Sequence, residues 1–239
     1  MTDQIRFRSD VTVELIKHSA SDADVVWAAR VSTKGEQSHD DLTEDASKSS
    51  GLINYLMRDR HGSPFEHSNM TFFVQAPIFM WREHFRHRIA SYNEESGRYK
   101  VLEPEFYVPG PERKLIQVGK AGAYDFVDGT PEQFDLVNEQ TKHACAVAYA
   151  SYETMLAAGV AREVARIVLP VTIYSSAYVT MNARALMNFL SLRRKAEGSH
   201  FPSFPQREIE MVAEKYEAIF EELMPLTHAA FIANGRVAP

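Results

Sequence analysis

Apolar and polar positions alternate in part over residues 5–15, with Ile5 and Phe7 followed by Val11, Val13 and Leu15. A period of two predicts one or two half-buried strands there. Ser21-Asp22-Ala23-Asp24 sets a cap residue and two acids ahead of Val25 to Val31, which reads as a helix start. Residues 36–50 are polar and fit either a loop or a helix with a solvated face. Leu52, Ile53, Tyr55, Leu56 and Met57 return at helical spacing and stop before Gly62 and Pro64. Met70 to Ala76 contains Thr71-Phe72-Phe73-Val74, a buried-strand pattern. Pro77 then opens a helix predicted to run through Arg88, because proline suits a first helical turn. Residues 89–99 are polar with a glycine and read as a loop or an irregular helix end.

The second half is more helical. Thr130-Pro131-Glu132-Gln133 has a capping-box pattern, and Phe134, Val137, Thr141, Ala144, Ala148, Tyr152 and Met155 keep helical spacing up to Gly159. A helix over about 160–168 stops at Pro170, and the β-branched and aromatic run Val171 to Thr180 predicts a strand. Asn182 to Lys195 and Pro205 to Leu223 are two further helices, the latter ending at Pro225. No repeat or linker divides the chain, so separated strands and long helices predict an α+β fold in one domain over residues 1–239.

Composition narrows the function. The chain has 239 residues, 45% of them hydrophobic, enough for one sizeable core. Asp3, Arg6, Arg8, Asp10 and Glu14 leave no apolar block for a secretory signal. The apolar run after Arg166 is short and broken by Pro170, so no membrane span is expected. Cys145 is the single cysteine; it excludes an intrachain disulfide and suits a reducing cytoplasm. A net charge of −6 disfavours non-specific nucleic-acid binding, so any phosphate must meet a local basic cluster.

Such a cluster lies at Arg86-His87-Arg88, succeeded by a loop with Ser91, Ser96, Gly97 and Arg98. Guanidinium forks, serine hydroxyls and loop N–H groups together make an anion-binding set, and Gly97 lets backbone approach a ligand. Each arginine alone reads as a cation at a helix C-terminus. Ser-Gly-Arg-Tyr adds nothing to a helix end, so the run as a whole reads as a phosphate loop. If Arg86, His87 and Arg88 continue the helix, they diverge by about 100° each, implying more than one ligand or phosphate. In Asn182 to Arg193, Leu186, Phe189 and Leu190 form an apolar stripe, while Arg184, Asn188 and Ser191 occupy another face. That is either an ordinary wet helix face or a helix serving neighbouring sites at a subunit interface. His61, His67, His84 and His87 follow no metal-ligand spacing, so His61-Gly62-Ser63-Pro64 reads as a surface turn and no metal is expected. Arg162 and Arg166 share a helix face, and pairing with Glu163 or other acids is the ordinary reading for Arg162.

The Arg86-His87-Arg88 run, seven further residues and then Ser96 resemble the signature of the flavin-dependent thymidylate synthases. That family's His-x-[Ser/Thr]-Pro-Phe-Glu-His turn is matched at 61–67, its Arg…Val-Leu-Pro segment at 166–170, and its Asn-x-Arg-x-x-x-Asn-Phe-x-x-x-Arg helix at 182–193. The resemblance implies a mainly antiparallel sheet packed by long helices, assembled as a homotetramer with FAD sites shared between subunits. It implies that dUMP is methylated with the carbon of 5,10-methylenetetrahydrofolate and a flavin-carried hydride drawn from NADPH. Carried residue by residue, it gives FAD contacts to Ser63, Arg86, His87, Arg88, Glu94, Asn182, Arg184 and Asn188. Glu83, Arg86, Ser96, Gly97, Arg98 and Arg166 would hold dUMP, and Arg193 would stand near N3 of the uracil as the catalytic cation. Two departures stand out: position 83 is Glu where some members have Gln, and extra residues around Gly198 to Phe204 precede Pro205-Gln206-Arg207-Glu208-Ile209. The latter leave the local pocket wall and any role of His200 open. Rival readings are a nucleotide- or RNA-binding module, a metal-dependent nucleotide hydrolase, and a flavoprotein of this fold with another acceptor.

Overall fold

A computed structural model describes residues 5–36, 46–120 and 123–239. In chain order the elements are β1 (Arg6–Arg8), β2 (Thr12–Ser19), α1 (Asp22–Lys34), α2 (Ala46–Arg58), β3 (Asn69–Pro77), α3 (Ile78–His84), β4 (Ser91–Glu94) and β5 (Glu105–Tyr107). They continue with β6 (Ile116–Lys120), β7 (Ala123–Val127), α4 (Pro131–Ala157), α5 (Arg162–Ala165), β8 (Tyr174–Asn182), α6 (Ala183–Arg193), α7 (Arg207–Leu223) and α8 (Pro225–Ala233). Short 3₁₀ turns lie at Ser63–Glu66 and Arg166–Val168.

One sheet has the strand order β2-β3-β8-β4; β1 pairs in parallel with β5, and β6 with β7 as an antiparallel ladder. Cross-strand contacts give the direction of β3 and β8. The Thr71 and Thr180 hydroxyls are 2.8 Å apart, the Phe73 and Tyr178 rings 6.0 Å, and Ser68 O accepts the Ala183 N–H at 2.9 Å. As one index rises the other falls in step, so the pair is antiparallel.

The chain forms two compact units: residues up to Thr12 with Val74–Arg86 and Asn93–Ala177, and Val13–Phe73 with His87–Tyr92 and Tyr178–Pro239. The core of the first gathers Leu102, Phe106, Cys145, Tyr149, Tyr152, Ala165 and Ile173. Its polar atoms are satisfied locally. Tyr149 Oη donates to Leu102 O at 3.0 Å, and Tyr152 Oη accepts the Leu102 N–H at 3.3 Å. Helix α4 opens on the expected capping box, Thr130 and Gln133 exchanging side-chain-to-backbone bonds. In the second unit the Tyr216 ring lies 4.5 Å from Phe72 and 5.5 Å from Phe189. Ser21 caps α1 as expected. Asp22 reaches further: its carboxylate accepts the N–H groups of Leu226 and Thr227 at 2.8 and 2.9 Å, capping α8.

The α+β class and most of the expected elements are present, with three differences. Helix α3 ends at His84, so Arg86 and His87 belong to the turn after it rather than to a helix; the angular argument does not apply to them. Within 89–127 stand β4, β5, β6 and β7, which carry little apolar alternation and owe their form to pairing. Pro225 ends α7 and at once starts α8, serving as a first-turn proline. Of the polar stretch 36–50, residues 37–45 lie outside the described residues, and 46–50 are the first part of α2.

Phe106 is fully buried and packs on Phe7 and Tyr149. Phe106→Ala is expected to lower the unfolding free energy by about 3–5 kcal/mol in urea titration. A shift under about 1 kcal/mol, the size of an ordinary surface substitution, would contradict this packing.

Candidate functional site

In the first unit, residues 94–100 form a loop held from both ends. Ser96 O accepts the N–H groups of Tyr99 and Lys100 at 3.0 and 3.1 Å, and the Ser96 hydroxyl accepts the Arg98 N–H at 3.2 Å. Upstream, Glu94 accepts the Ser175 hydroxyl at 2.5 Å, and Glu95 exchanges two bonds with the Ser176 backbone. Gly97 is buried, and a methyl there would lie 3.0 Å from Leu102 Cδ1 and 3.2 Å from Arg166 Cδ. The missing side chain thus admits the stem of Arg166. The Arg98 guanidinium meets Glu163 of α5 at 2.5 Å, so Glu163, expected beside Arg162, is turned to the loop. Ser96, Gly97, Arg98 and Arg166 are therefore brought together, with hydroxyl and guanidinium donors suited to an oxyanion. Glu83 and Arg86 lie at the end of α3, where Glu83 O accepts the Arg86 N–H at 3.2 Å; the Arg86 side chain is exposed.

In the second unit, His87 and Arg193 meet although 106 positions separate them: Arg193 Nε–H donates to His87 Nε2 at 3.0 Å. The ring nitrogen that accepts this bond carries no proton, so in the neutral imidazole the proton belongs on Nδ1. The His87 ring lies 4.5 Å from Phe189, and Tyr92 Oη donates to His87 O at 2.9 Å. Phe189 and Arg193 are four apart on α6, which is why one imidazole touches both. Burial, and then the positive charge of Arg193, push the His87 pKa down to about 4. The imidazole is thus an uncharged acceptor beside a permanent cation.

Leu186, Phe189 and Leu190 are fully buried while Arg184 and Asn188 are exposed, so α6 has the two faces expected. The Asn182 side chain caps α6, accepting the Ala185 N–H at 2.8 Å. Arg184 bonds Glu66 at 2.5 Å and Pro239 O at 2.6 Å, and a methyl on Gly62 would lie 2.5 Å from its Nε. Gly62 thus lets Arg184 lie against the turn that carries Ser63. Asn188 lines a cavity of about 450 Å³. Arg88 is exposed beyond the turn. Sequence reasoning misses Glu163, Glu66 and the 236–239 tail, because their contacts span from 45 to 118 positions and no periodicity announces them. The histidines are dispersed: His61 stacks on Tyr55, His67 meets Trp27 edge-on, and His84 packs against Trp81. Among the described residues no group of three or more His, Cys, Asp or Glu is placed to hold a metal ion, and no helix is long and apolar enough to cross a membrane.

Known proteins resemble this chain over nearly its whole length. The family described as thymidylate synthase complementing protein matches residues 14–226. A flavin-dependent thymidylate synthase of Streptomyces avermitilis is 65% identical over 98% of this chain and 95% of its own length. One from Tropheryma whipplei is 59% identical over 98% of this chain and 97% of its own. A solved UMP/dUMP methylase, PolB from Streptomyces cacaoi bound with 5-Br dUMP, is 54% identical, with a TM-score of 0.93 over 98% of this chain and 100% of that one.

The environment of His87 makes stability depend on acid. Unfolded, the imidazole titrates near 6.5; folded, it titrates near 4. Between those values the unfolded chain binds a proton that the folded chain excludes, so this contribution is full above about pH 6.5 and is lost as pH falls toward about 4. Solvent screening of the half-buried ring trims the effect to about 1–2 kcal/mol. In His87→Gln, urea-unfolding free energy plotted from about pH 7 to 4.5 is expected to fall less steeply than in the parent chain. Parallel curves would remove His87 from that dependence.

Proposed function

This chain belongs to the flavin-dependent thymidylate synthase family, and from that premise we propose that it methylates dUMP to dTMP with 5,10-methylenetetrahydrofolate, NADPH and FAD. The observation that carries the reading is the state of Cys145. It is the single cysteine, it is buried, its Sγ lies 3.3 Å from the Thr172 hydroxyl, and burial pushes its thiol pKa up. A thiolate is the nucleophile that cysteine-based thymidylate formation requires, and this environment disfavours one. Without thiol addition the ring must be activated by orientation and charge, and FAD, when bound, would supply the hydride that completes the methyl.

The residues divide by task. Ser96, Gly97, Arg98 and Arg166 hold dUMP, with Glu83 and Arg86 from the end of α3. The Arg98–Glu163 pair is half exposed on both sides, so it is weak and exchanges readily for a phosphate. Ser63, Arg86, His87, Arg88, Glu94, Asn182, Arg184 and Asn188 serve FAD. The donor set suits it: arginines for a pyrophosphate, and an exposed amide at Asn188 beside a cavity for a ring edge. Arg193 stands near N3 of the uracil, where its fixed charge stabilises the negative charge that develops on the ring. A neutral His87 fixes the direction of that guanidinium without adding a second positive charge. Residues 1–239 act as one synthase domain in a homotetramer with shared FAD sites, which accounts for site residues on the exposed face of α6 as well as at its His87 side. A reduced, buried Cys145 suits a cytoplasmic enzyme, and the net charge of −6 suits a protein that does not bind nucleic acid.

Purified protein is expected to be yellow and to form dTMP from dUMP, NADPH and methylenetetrahydrofolate, monitored by chromatography of the nucleotides. UMP is the comparison acceptor, since the similar PolB is a UMP/dUMP methylase. Arg193→Ala should lose about 10²–10³-fold in kcat while flavin absorbance is retained. Normal turnover in that variant would defeat the role of Arg193. Cys145→Ala should keep its activity, and a folded, flavin-loaded but inactive Cys145→Ala protein would restore thiol catalysis.

A further inference from the structure

The segment from Gly235 to Pro239 carries a regularity that none of these assignments uses. Each of its carbonyls accepts a bond from elsewhere in the second unit. Gly235 O takes the His200 N–H at 2.9 Å, and Arg236 O takes the Ser191 hydroxyl at 2.6 Å. Val237 O and Ala238 O take Arg60 Nη1 at 3.3 and 2.7 Å, and Pro239 O takes Arg184 Nε at 2.6 Å. The strip thus runs along α6 from Ser191 back to Arg184. The helix rises about 10.5 Å between those positions, and extended chain from 236 to 239 reaches about 10–11 Å at most. The strip therefore has little slack, and Pro239 at its end is buried.

Arg60 holds this strip against the preference of its own backbone. Among the described residues, the non-glycine positions with left-handed backbone are Arg60, at φ 64°, and Arg236, at φ 58°. One anchors the strip and the other belongs to it. A left-handed residue just past a helix end, as Arg60 is past α2, is ordinarily glycine. A long side chain kept there points to a use for that side chain. Arg60 is exposed, and its guanidinium reaches the two carbonyls that precede Pro239.

The strip ends on Arg184, whose stem is flexible and whose head is planar. Pro239 O holds its Nε and Glu66 holds its Nη1, while among the described residues its Nη2 makes no hydrogen bond. The side chain is 45% exposed. Two acceptors thus fix the head and leave donors for an anion, which need not order the guanidinium when it binds.

We propose that Arg60 and the 235–239 strip brace Arg184, so that Arg60 is a positioning residue for the pyrophosphate of a bound dinucleotide, acting through Pro239 rather than on the ligand. The proposal rests on the reading above in which Arg184 serves FAD.

The test titrates the full-length protein with FAD, followed by flavin fluorescence, and unfolds the same samples in urea. The variants are Arg60→Gly, Arg60→Lys, Arg184→Ala and the Arg60→Gly/Arg184→Ala pair. Glycine suits the left-handed backbone, so Arg60→Gly is expected to fold with stability near that of the parent. A guanidinium that must be ordered on binding should weaken FAD about three- to tenfold in that variant. Arg60→Lys, whose ammonium donates to the same carbonyls, should restore the affinity. In the Arg184→Ala background Arg60→Gly should change FAD binding no further. Parent-like FAD affinity in Arg60→Gly overturns the brace. So does an equal loss with and without Arg184, which would make Arg60 merely structural, and so does parent-like affinity in Arg184→Ala. A parent that binds no FAD refutes the proposed function and the brace together, whereas a parent that binds it with indifferent Arg60 variants refutes the brace alone.

Discussion

The bond from Arg193 to His87 is the constraint around which the polar groups of the second unit's α6 are arranged. A guanidinium on a free stem samples many directions, and a charged neighbour would either repel it or cancel it. An uncharged imidazole does neither. It takes one N–H, is fixed in turn by its contact with Phe189 and by Tyr92 at its own carbonyl, and adds no charge of its own. The burial that depresses the His87 pKa is therefore part of the same arrangement, since a protonated ring could not accept that bond. The buried side of α6, with Leu186, Phe189 and Leu190, holds the helix in place while its margins present Arg184, Asn188 and Arg193.

The first unit uses a different device for its arginines. Gly97 gives up its side chain so that Arg166 can lie against the loop, and Glu163 pairs with Arg98 at the surface. The loop is fixed to the backbone and side chains of Ser175 and Ser176 through two adjacent glutamates. Backbone order and surface charge pairing are thus assigned to different residues. The core beneath, where Tyr149 and Tyr152 satisfy Leu102 and Cys145 is shut in, supplies rigidity and no reactive group.

The range over which each interaction acts decides whether it is legible in the sequence. Caps at Ser21 and Thr130, and the apolar stripe of α6, are local patterns and can be read directly. The early stop of α3 cannot, because Phe85, Arg86 and His87 have no helix-breaking character; the residues after them pair into a sheet instead. The short strands between residues 91 and 127 have ordinary polar sequences whose partners lie elsewhere in the chain. Motif resemblance groups Arg166 with Gly97 by role but does not put them in contact, as the fold does. The segment 198–204 stands out as a departure from the family pattern, yet nothing in its residues announces that it is tied to the tail.

The fit of Arg184 over Gly62 has a consequence for how such chains diverge. The space beside position 62 is filled by the guanidinium of Arg184, the far end of a flexible stem. The family motif holds the arginine at 184 and leaves 62 open, so a side chain acquired at 62 meets a neighbour that can swing aside rather than a fixed wall. Drift at 62 is then absorbed by the bond from Arg184 to Glu66, not by the backbone of the turn.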